Sequence, residues 1–348
     1  MFSPDYRNVV NAALNRESER IPLYEHIISE KIMETIKGEK FADLSSGGYK
    51  DKLEFFRHYC SFFRDSGYDT VSYECCAGPA MPGSGSLGGH KEGVIKTRSD
   101  FEAYPWDSIP DFFFERYHDY FLALGEAMPP GMKGIGGVGN GIFECVQDIT
   151  GFEELCYIRE DDPELYEALF SKVGDMLLAI WDRFLKESGD IFCVCRFGDD
   201  LGFKSSTLLG AGDIRKLIIP QYRRIVDLIH SRGKPFLFHS CGCIFNVMDD
   251  IIDGAGIDAK HSNEDVIAPY SKWIDDYGSR IGNFGGIDTD ILCESSTVDL
   301  SAYTAQAYRI LEKKGRGTAI GSGNSIPDYV SPARYSLMLE TVRSLRKD

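Results

Sequence analysis

Short apolar runs alternate with longer segments of helical period through almost the whole chain, and this alternation limits the fold more than any other feature. Eight apolar runs can be counted, at residues 20–25, 68–74, 132–139, 190–197, 234–240, 256–261, 280–286 and 317–323. The pattern is typical of a parallel sheet with helical connections. Eight strand-then-helix units predict a single (β/α)8 TIM barrel over residues 1–348. An open doubly wound sheet is the alternative, but no G-x-G-x-x-G motif opens a helix after the first run.

The segment that begins at Asp162 shows the helical period clearly. Its apolar residues recur every three or four positions, which is the spacing of one buried helix face. Asp162 is predicted to cap the N-terminus, and Pro163 fits the first turn. We therefore expect a long helix here, buried along one face.

Composition and charge exclude several classes of function. The chain is 43% hydrophobic, enough for a large core. Its 54 acidic and 38 basic residues give a net charge of -16, which would repel nucleic acids and anionic membranes. No segment approaches the roughly 20 apolar residues of a membrane span, and the first twenty residues carry charges where a signal peptide needs an apolar core. We expect a cytoplasmic protein that binds neither nucleic acid nor membranes.

The ten cysteines are expected to be thiols. The chain is long and has no export signal, so a disulfide framework is not expected. No C-x-x-C pair is present, which excludes a zinc ribbon and a thioredoxin-type dithiol. Any metal site must therefore be assembled from distant segments.

The residues at the carboxyl ends of the eight runs are those that a barrel would bring to its catalytic face. Most belong to types that bind metals or transfer protons, as a catalytic site requires. In chain order they are Glu25 and His26; Glu74, Cys75 and Cys76; Gly139 and Asn140; Asp199 and Asp200; His239 and Cys241; His261 and Asn263; Asp288; and Ser322 and Asn324.

His239 and Cys241 are the strongest candidates for a metal site. They are two residues apart at the end of an extended run, so their side chains would point to the same side. An imidazole nitrogen and a thiolate sulfur are both good zinc ligands. The alternative is a structural role, since cysteine is among the most buried residue types.

Several segments resemble the uroporphyrinogen decarboxylase superfamily. The likeness is strongest from about residue 155 to 335, in "DDPELYEALFSKVGDML", "GDDLGFKSSTLLGAGDIRKLIIPQYRRIVDLIHSRGKPFLFHSCG", "GGIDTDILCESS" and "GSGNSIPDYVSPARYSLMLETVR". The resemblance implies a uroporphyrinogen decarboxylase-type (β/α)8 barrel, in agreement with the count of runs.

The family contains decarboxylases and corrinoid-linked methyltransferases, and the sequence is more similar to the second group. The decarboxylases carry an arginine-rich signature after the first strand that grips the propionates of a porphyrinogen, whereas this chain has "YEHIISEK" there. The methyltransferases, such as those that use methylcobalamin and coenzyme M, have H-x-C-G after the fifth strand. His239 and Cys241 match that motif, which implies that they bind zinc.

The third zinc ligand is left open by the resemblance. In the methyltransferases it is a cysteine after the eighth strand, and that position falls near Ser322, whose hydroxyl is a poor zinc ligand. The candidates to replace it are Glu25, His26, Glu74, Cys75, Cys76 and His261. We expect Glu74 or His261, because both lie at strand ends and need no loop to order them.

Other residues are candidates for catalysis and for substrate binding. Asp199 and Asp200 can act in catalysis, orient the metal site, or cap the following helix. The expected substrate-binding residues are Tyr73, Asn140, Phe203 and Asn324.

Two functions remain open. The first is a zinc-dependent methyltransferase that moves a methyl group between a small molecule and the cobalamin of a separate corrinoid protein, since no D-x-H-x-x-G cobalamin motif is present. A second copy of the chain, in a homodimer, is a further expected partner. The alternative is a metal-free decarboxylase-type lyase that acts on a tetrapyrrole. Metal content separates the two functions.

Overall fold

The sheet that the sequence predicts is present in the computed structural model, which describes residues 2–89, 91–293 and 295–346. Neighbouring strands are all parallel, and their order in the sheet is their order in the chain. Each strand overlaps one of the last seven predicted runs, which confirms a parallel α/β sheet. The strands are β1 (Val71–Cys76), β2 (Gly134–Gly139), β3 (Phe192–Gly198), β4 (Phe236–His239), β5 (Ala259–His261), β6 (Gly282–Ile287) and β7 (Thr318–Ser322).

Helices connect the strands, as parallel pairing requires. Asp162 accepts a hydrogen bond of 3.0 Å from the backbone N–H of Leu165, so the predicted cap is confirmed. None of the helices in the described ranges is long and apolar enough to cross a membrane. The α-helices are α1 (Arg7–Ala13), α2 (Glu30–Lys37), α3 (Tyr49–Ser66), α4 (Arg98–Ala103), α5 (Ile109–Ala127), α6 (Ile142–Thr150), α7 (Phe152–Asp161), α8 (Pro163–Glu187), α9 (Ala211–Asp213), α10 (Ile219–Ser231), α11 (Met248–Asp250), α12 (Tyr270–Tyr277), α13 (Leu300–Lys314) and α14 (Pro332–Arg346).

The first predicted run, residues 20–25, does not form a regular strand. Leu23 makes a parallel bridge with Ile320 of β7, where two backbone hydrogen bonds of 2.9 Å form. Pro22 has no N–H to donate, which keeps this pairing short. On the other side, the Ser72 hydroxyl of β1 donates a hydrogen bond to the carbonyl oxygen of His26, which follows the first run. In the described residues the sheet has seven strands, so the predicted barrel of eight strands is not confirmed. The first run lies between β7 and β1, a position that we call the seam, and is bridged to β7 there.

The position of α1 shows that the sheet is curled. This short helix packs against β3, β6 and β7, which are well separated in the strand order. Val9 and Ala12 of α1 share an apolar cluster with Leu237 of β4 and Phe284 of β6. A flat sheet could not bring these strands to one helix of two turns. The sheet therefore curves around an interior that α1 fills at the amino-terminal ends of the strands, leaving the carboxyl ends for the site.

Candidate functional site

Three histidines come together at the carboxyl ends of the strands. His239 is the last residue of β4, His261 is the last residue of β5, and the two are register partners. Their Nδ1 atoms are 2.7 Å apart. The ring of His26, which follows the bridge at the seam, stacks on the ring of His239 with the centroids 3.7 Å apart. All three side chains are buried, so they form one histidine cluster.

The Cys241 thiol lies beside this cluster. Its Sγ atom is 3.4 Å from Nε2 of His239. Oδ1 of Asp200 is 3.9 Å from the same nitrogen and accepts a hydrogen bond of 2.8 Å from the backbone N–H of Cys241. Asn324 and Ser262 donate hydrogen bonds to the sulfur, at 3.2 Å and 3.7 Å. His239, Cys241, Asp200 and Asn324, all of which the sequence singles out, are therefore neighbours.

Two overlapping sets of side chains in the described part of the chain could share a metal ion. They are His26, His239 and His261, and Asp200, His239 and Cys241. In a tetrahedral zinc site, nitrogen and sulfur ligands are about 3.6 Å apart, and two nitrogens about 3.3 Å apart. The 3.4 Å between His239 and Cys241 is close to the first value, whereas the 2.7 Å between the two Nδ1 atoms is a hydrogen-bond distance. The set that contains the thiol fits zinc better.

Burial sets the protonation of these groups. It lowers the pKa of His26 and of His239 well below the usual histidine value, and nearby histidines and Arg196 lower both further. Burial also lowers the pKa of His261 to about 3. All three rings are then neutral at pH 7, which is the form that binds metals. Burial raises the pKa of the Cys241 thiol, so a bound cation would be needed to hold it as a thiolate.

A buried ion pair lies one layer below the histidines. Arg196 of β3 is in register with Leu237, two residues before His239. Its Nε and Nη2 atoms donate hydrogen bonds of 3.0 Å and 2.7 Å to Oε2 of Glu74 in β1. Neither side chain is appreciably exposed. The remaining donor, Nη1, reaches two hydroxyl groups, those of Tyr24 and Ser72.

This ion pair accounts for the position of Glu74, which the sequence suggests as a zinc ligand. Its second carboxylate oxygen, Oε1, is 3.9 Å from Nε2 of His26. A Cβ atom on Gly139 of β2 would lie only 2.9 Å from that oxygen, so a glycine makes room for it. Glu74 belongs to neither set of converging ligand atoms. The structure therefore does not bring Glu74 to Cys241.

Asp199 caps a helix. Its carboxylate accepts hydrogen bonds from the backbone N–H groups of Phe143 and Glu144 in the first turn of α6, at 2.9 Å and 2.8 Å, and from the Tyr222 hydroxyl. A Cβ atom on Gly141 would lie 2.2 Å from Cβ of Asp199, so the carboxylate takes the place of a side chain at the helix start. Burial raises its pKa to about 6. Asp199 therefore caps α6, a helix that precedes it in the chain, and not the following helix that the sequence suggested.

The remaining residues that were predicted to bind substrate are Asn140, Phe203 and Tyr73. Asn140 hydrogen-bonds to Glu144 at 2.9 Å and accepts a bond from a backbone N–H in the loop after β1. Phe203 is exposed in the loop after β3. Tyr73 packs edge-on against Phe56 of α3, with the ring centroids 4.9 Å apart. Tyr73 therefore faces the helical layer and is separated from the cluster.

Three residues of the site were missed or given no preference in the sequence. Arg196 is the only charged residue of β3, "FCVCRFG", and a charge in such a run signals a buried partner. Ser262 has a φ of 107°, which is rare for a residue with a side chain and often marks functional sites. Nδ1 of His26 is buried and has no hydrogen-bond partner in the described residues. The last two features can be seen only in three dimensions.

Several solved structures are similar to the chain, to different degrees. A methyltransferase from Methanosarcina mazei has a TM-score of 0.71 at 14% sequence identity, over 99% of each chain. A 3-keto-D-glucoside 4-epimerase from E. coli has a TM-score of 0.35 at 13% identity, over 94% of this chain and 99% of the epimerase. A xylose isomerase-like TIM barrel protein from Mycobacterium smegmatis has a TM-score of 0.41 at 10% identity, over 93% and 97%. The first match supports a TIM-barrel-like fold, and the other two are too distant to argue from.

The family comparison covers most of the chain. No curated protein matches it. The family model "Uroporphyrinogen decarboxylase (URO-D)" matches residues 124–345, which include six of the seven strands, the histidines at the ends of β4 and β5, and the Cys241 thiol. The chain belongs to the uroporphyrinogen decarboxylase family.

Proposed function

We propose that the chain is a zinc-dependent methyltransferase that moves a methyl group between a small molecule and the cobalt of a separate corrinoid protein. The observation that carries this proposal is the pair of His239 and Cys241, whose ligand atoms lie 3.4 Å apart at the carboxyl ends of the strands. Family membership is consistent with it. The Methanosarcina mazei structure is named a methyltransferase, which is also consistent with the proposal, although the likeness to it bears on the fold alone.

Zinc would be held by His239, Cys241 and Asp200. The donors are one imidazole nitrogen, one sulfur and one carboxylate oxygen, a combination of ligand types that zinc accepts. Oδ1 of Asp200 is 3.9 Å from the histidine nitrogen, about half an ångström beyond the roughly 3.4 Å expected for two ligands of one zinc ion. A small rotation of this half-exposed side chain would close the gap. Three protein ligands leave a fourth position for a substrate, as in catalytic zinc sites.

The protein groups around the sulfur prepare it for this role. Asn324 and Ser262 donate hydrogen bonds to Cys241, which favours the thiolate and fixes its position. The backbone N–H of Cys241 orients Asp200 in turn. When bound, zinc supplies a Lewis acid that can polarise the oxygen or sulfur of the group that carries the methyl. With one thiolate instead of two, the donor set favours a methyl group linked to oxygen over a thiol acceptor.

The corrinoid would approach the same end of the barrel. Phe203, Val266 and Tyr329 lie in the loops that follow β3, β5 and β7. They are the most exposed of the large apolar side chains in the described part of the chain. Contiguous exposed apolar patches mark docking surfaces, and these three loops lie at the same end of the barrel, where their side chains could contribute to one patch. A partner that carries cobalamin and docks there would bring the cobalt towards His239 and Cys241.

Cobalamin spectroscopy tests the proposed reaction. We expect the zinc-loaded protein to methylate cob(I)alamin when methanol or an aromatic methyl ether is supplied, or to consume methylcob(III)alamin when a thiol is supplied. Either change is followed by the visible absorbance of the corrinoid, and the zinc-stripped protein serves as the control. If the spectra stay unchanged for methyl ethers, methylamines and thiols in both directions, the methyltransferase proposal fails. If the protein is found to bind no metal, that result would instead favour the function of a decarboxylase-type lyase.

A further inference from the structure

A chain of hydrogen bonds runs from the end of β7 to the candidate metal site. Nε2 of His261 lies 2.9 Å from the main-chain carbonyl oxygen of Ser322. Nδ1 of His261 lies 2.7 Å from Nδ1 of His239. Nε2 of His239 then faces the sulfur of Cys241 at 3.4 Å. Both ring nitrogens of His261 are therefore engaged before any ligand arrives.

The position of each proton follows from the chemistry of the carbonyl group. A carbonyl oxygen only accepts, so Nε2 of His261 must carry a hydrogen. His261 is fully buried, and the partners of its two ring nitrogens, a carbonyl oxygen and a second imidazole, carry no negative charge that would stabilise a protonated ring. In the neutral ring, Nδ1 of His261 is then an acceptor. The hydrogen between the two rings must therefore belong to Nδ1 of His239. This leaves Nε2 of His239 with a free lone pair, directed at the sulfur and Asp200.

We propose that His261 is a positioning residue that fixes the tautomer of His239, and that it is not itself a zinc ligand. The inference rests on the proposed zinc site at His239 and Cys241. A histidine that binds zinc commonly donates its other N–H to an outer partner, which fixes the ring and raises its affinity for the metal. Here the partner is a second imidazole, itself held by a main-chain oxygen.

Packing holds the chain of hydrogen bonds in one arrangement. His261 is fully buried, and its ring lies edge-on to the ring of Tyr24 with the centroids 4.9 Å apart. The backbone of β5 is paired on both sides, with β4 and with β6. Both nitrogens of the buried His261 ring are therefore held by partners other than Cys241.

The same arrangement accounts for Ser322, the residue near which the methyltransferases of the family have a cysteine ligand. Its hydroxyl lies 3.0 Å from the Thr289 hydroxyl, and its N–H donates to the Glu25 carboxylate. Its carbonyl oxygen forms a hydrogen bond with His261 of the histidine cluster. At this position the chain supplies an anchor for His261 in place of a third metal ligand.

Two variants at residue 261 separate a positioning residue from a ligand. The side-chain oxygen of asparagine can take the place of Nδ1 and accept from His239, whereas leucine cannot accept. We expect His261→Leu to weaken zinc binding about 10- to 100-fold, the usual cost of losing an outer partner of a ligating histidine. His261→Asn should keep most of the affinity. Competition with a chromophoric zinc chelator measures both, and circular dichroism reports on folding.

Nitrogen NMR of the zinc-free wild-type protein gives an independent readout that needs no variant to fold. With histidines labelled with nitrogen-15, His239 should be protonated at Nδ1 and His261 at Nε2. The opposite tautomer at His239 would overturn the inference. So would an equal and complete loss of zinc in both variants, which would make His261 a ligand, or wild-type affinity in both. If the wild-type protein itself binds no zinc, the proposed function fails, while the tautomers still test the hydrogen-bonded chain.

Discussion

Replacing Cys241 with alanine will abolish stoichiometric zinc binding and methyl transfer while leaving the fold intact. The sulfur is one of three ligands in the proposed site, and the methyl side chain of alanine has no atom that can bind zinc. The loss of zinc affinity should exceed the roughly 100-fold loss that follows removal of an outer hydrogen-bond partner of a ligand. Since Cys241 is only partly buried at the open end of the sheet, the free energy of unfolding of the zinc-free protein should change by no more than about 1 kcal/mol.

Cys243→Ala is the matched control for this experiment. Cys243 lies two residues further along the chain and is partly buried, as Cys241 is. It belongs to neither set of converging ligand atoms. Elemental analysis after zinc loading and dialysis should give about one zinc per chain for the control and none for Cys241→Ala. Stoichiometric zinc in Cys241→Ala would contradict the assignment of the sulfur as a ligand.

Replacing Arg196 with methionine will destabilise the protein by about 3–5 kcal/mol, the usual cost of removing one partner of a buried ion pair. The Glu74 carboxylate would stay buried without its two hydrogen bonds, and the hydroxyls of Tyr24 and Ser72 would lose a donor. Urea unfolding of the zinc-free protein, which removes any contribution from bound metal, measures the change.

The double variant Arg196→Met, Glu74→Leu distinguishes an unpaired charge from a packing defect. Because removal of both partners leaves no buried charge, we expect it to recover most of the lost stability. Arg309→Met, on the exposed surface of α13, should change stability by less than about 0.5 kcal/mol. A double variant as unstable as Arg196→Met would show that the ion pair is not the cause.

The strands could be predicted from the sequence because each is a short apolar run with local boundaries. The seam could not, since the pairing of the first run depends on how the sheet closes and on Pro22, which has no N–H for the ladder. His239 and Cys241 were predictable for the same local reason, because a separation of two residues places side chains on one side of an extended chain.

The partners of the charged residues could not be read from the sequence. Glu74 and His261 both end predicted runs, but Arg196, from a strand two positions away in the sheet, engages Glu74. Asp199 and Asp200 are adjacent in the chain, and only the turn after β3 directs one to α6 and the other to Cys241. The partner of each charged side chain depends on contacts across the interior of the sheet, which a single sequence does not reveal.

X-ray absorption at the zinc edge of the loaded wild-type protein tests the central claim most directly. A site built from His239, Cys241 and Asp200 predicts one sulfur neighbour at about 2.3 Å, with the remaining neighbours nitrogen or oxygen at about 2.0–2.2 Å. Two sulfur neighbours would mean that a second cysteine has replaced Asp200. A shell without sulfur, or a protein that retains no zinc, would contradict the account.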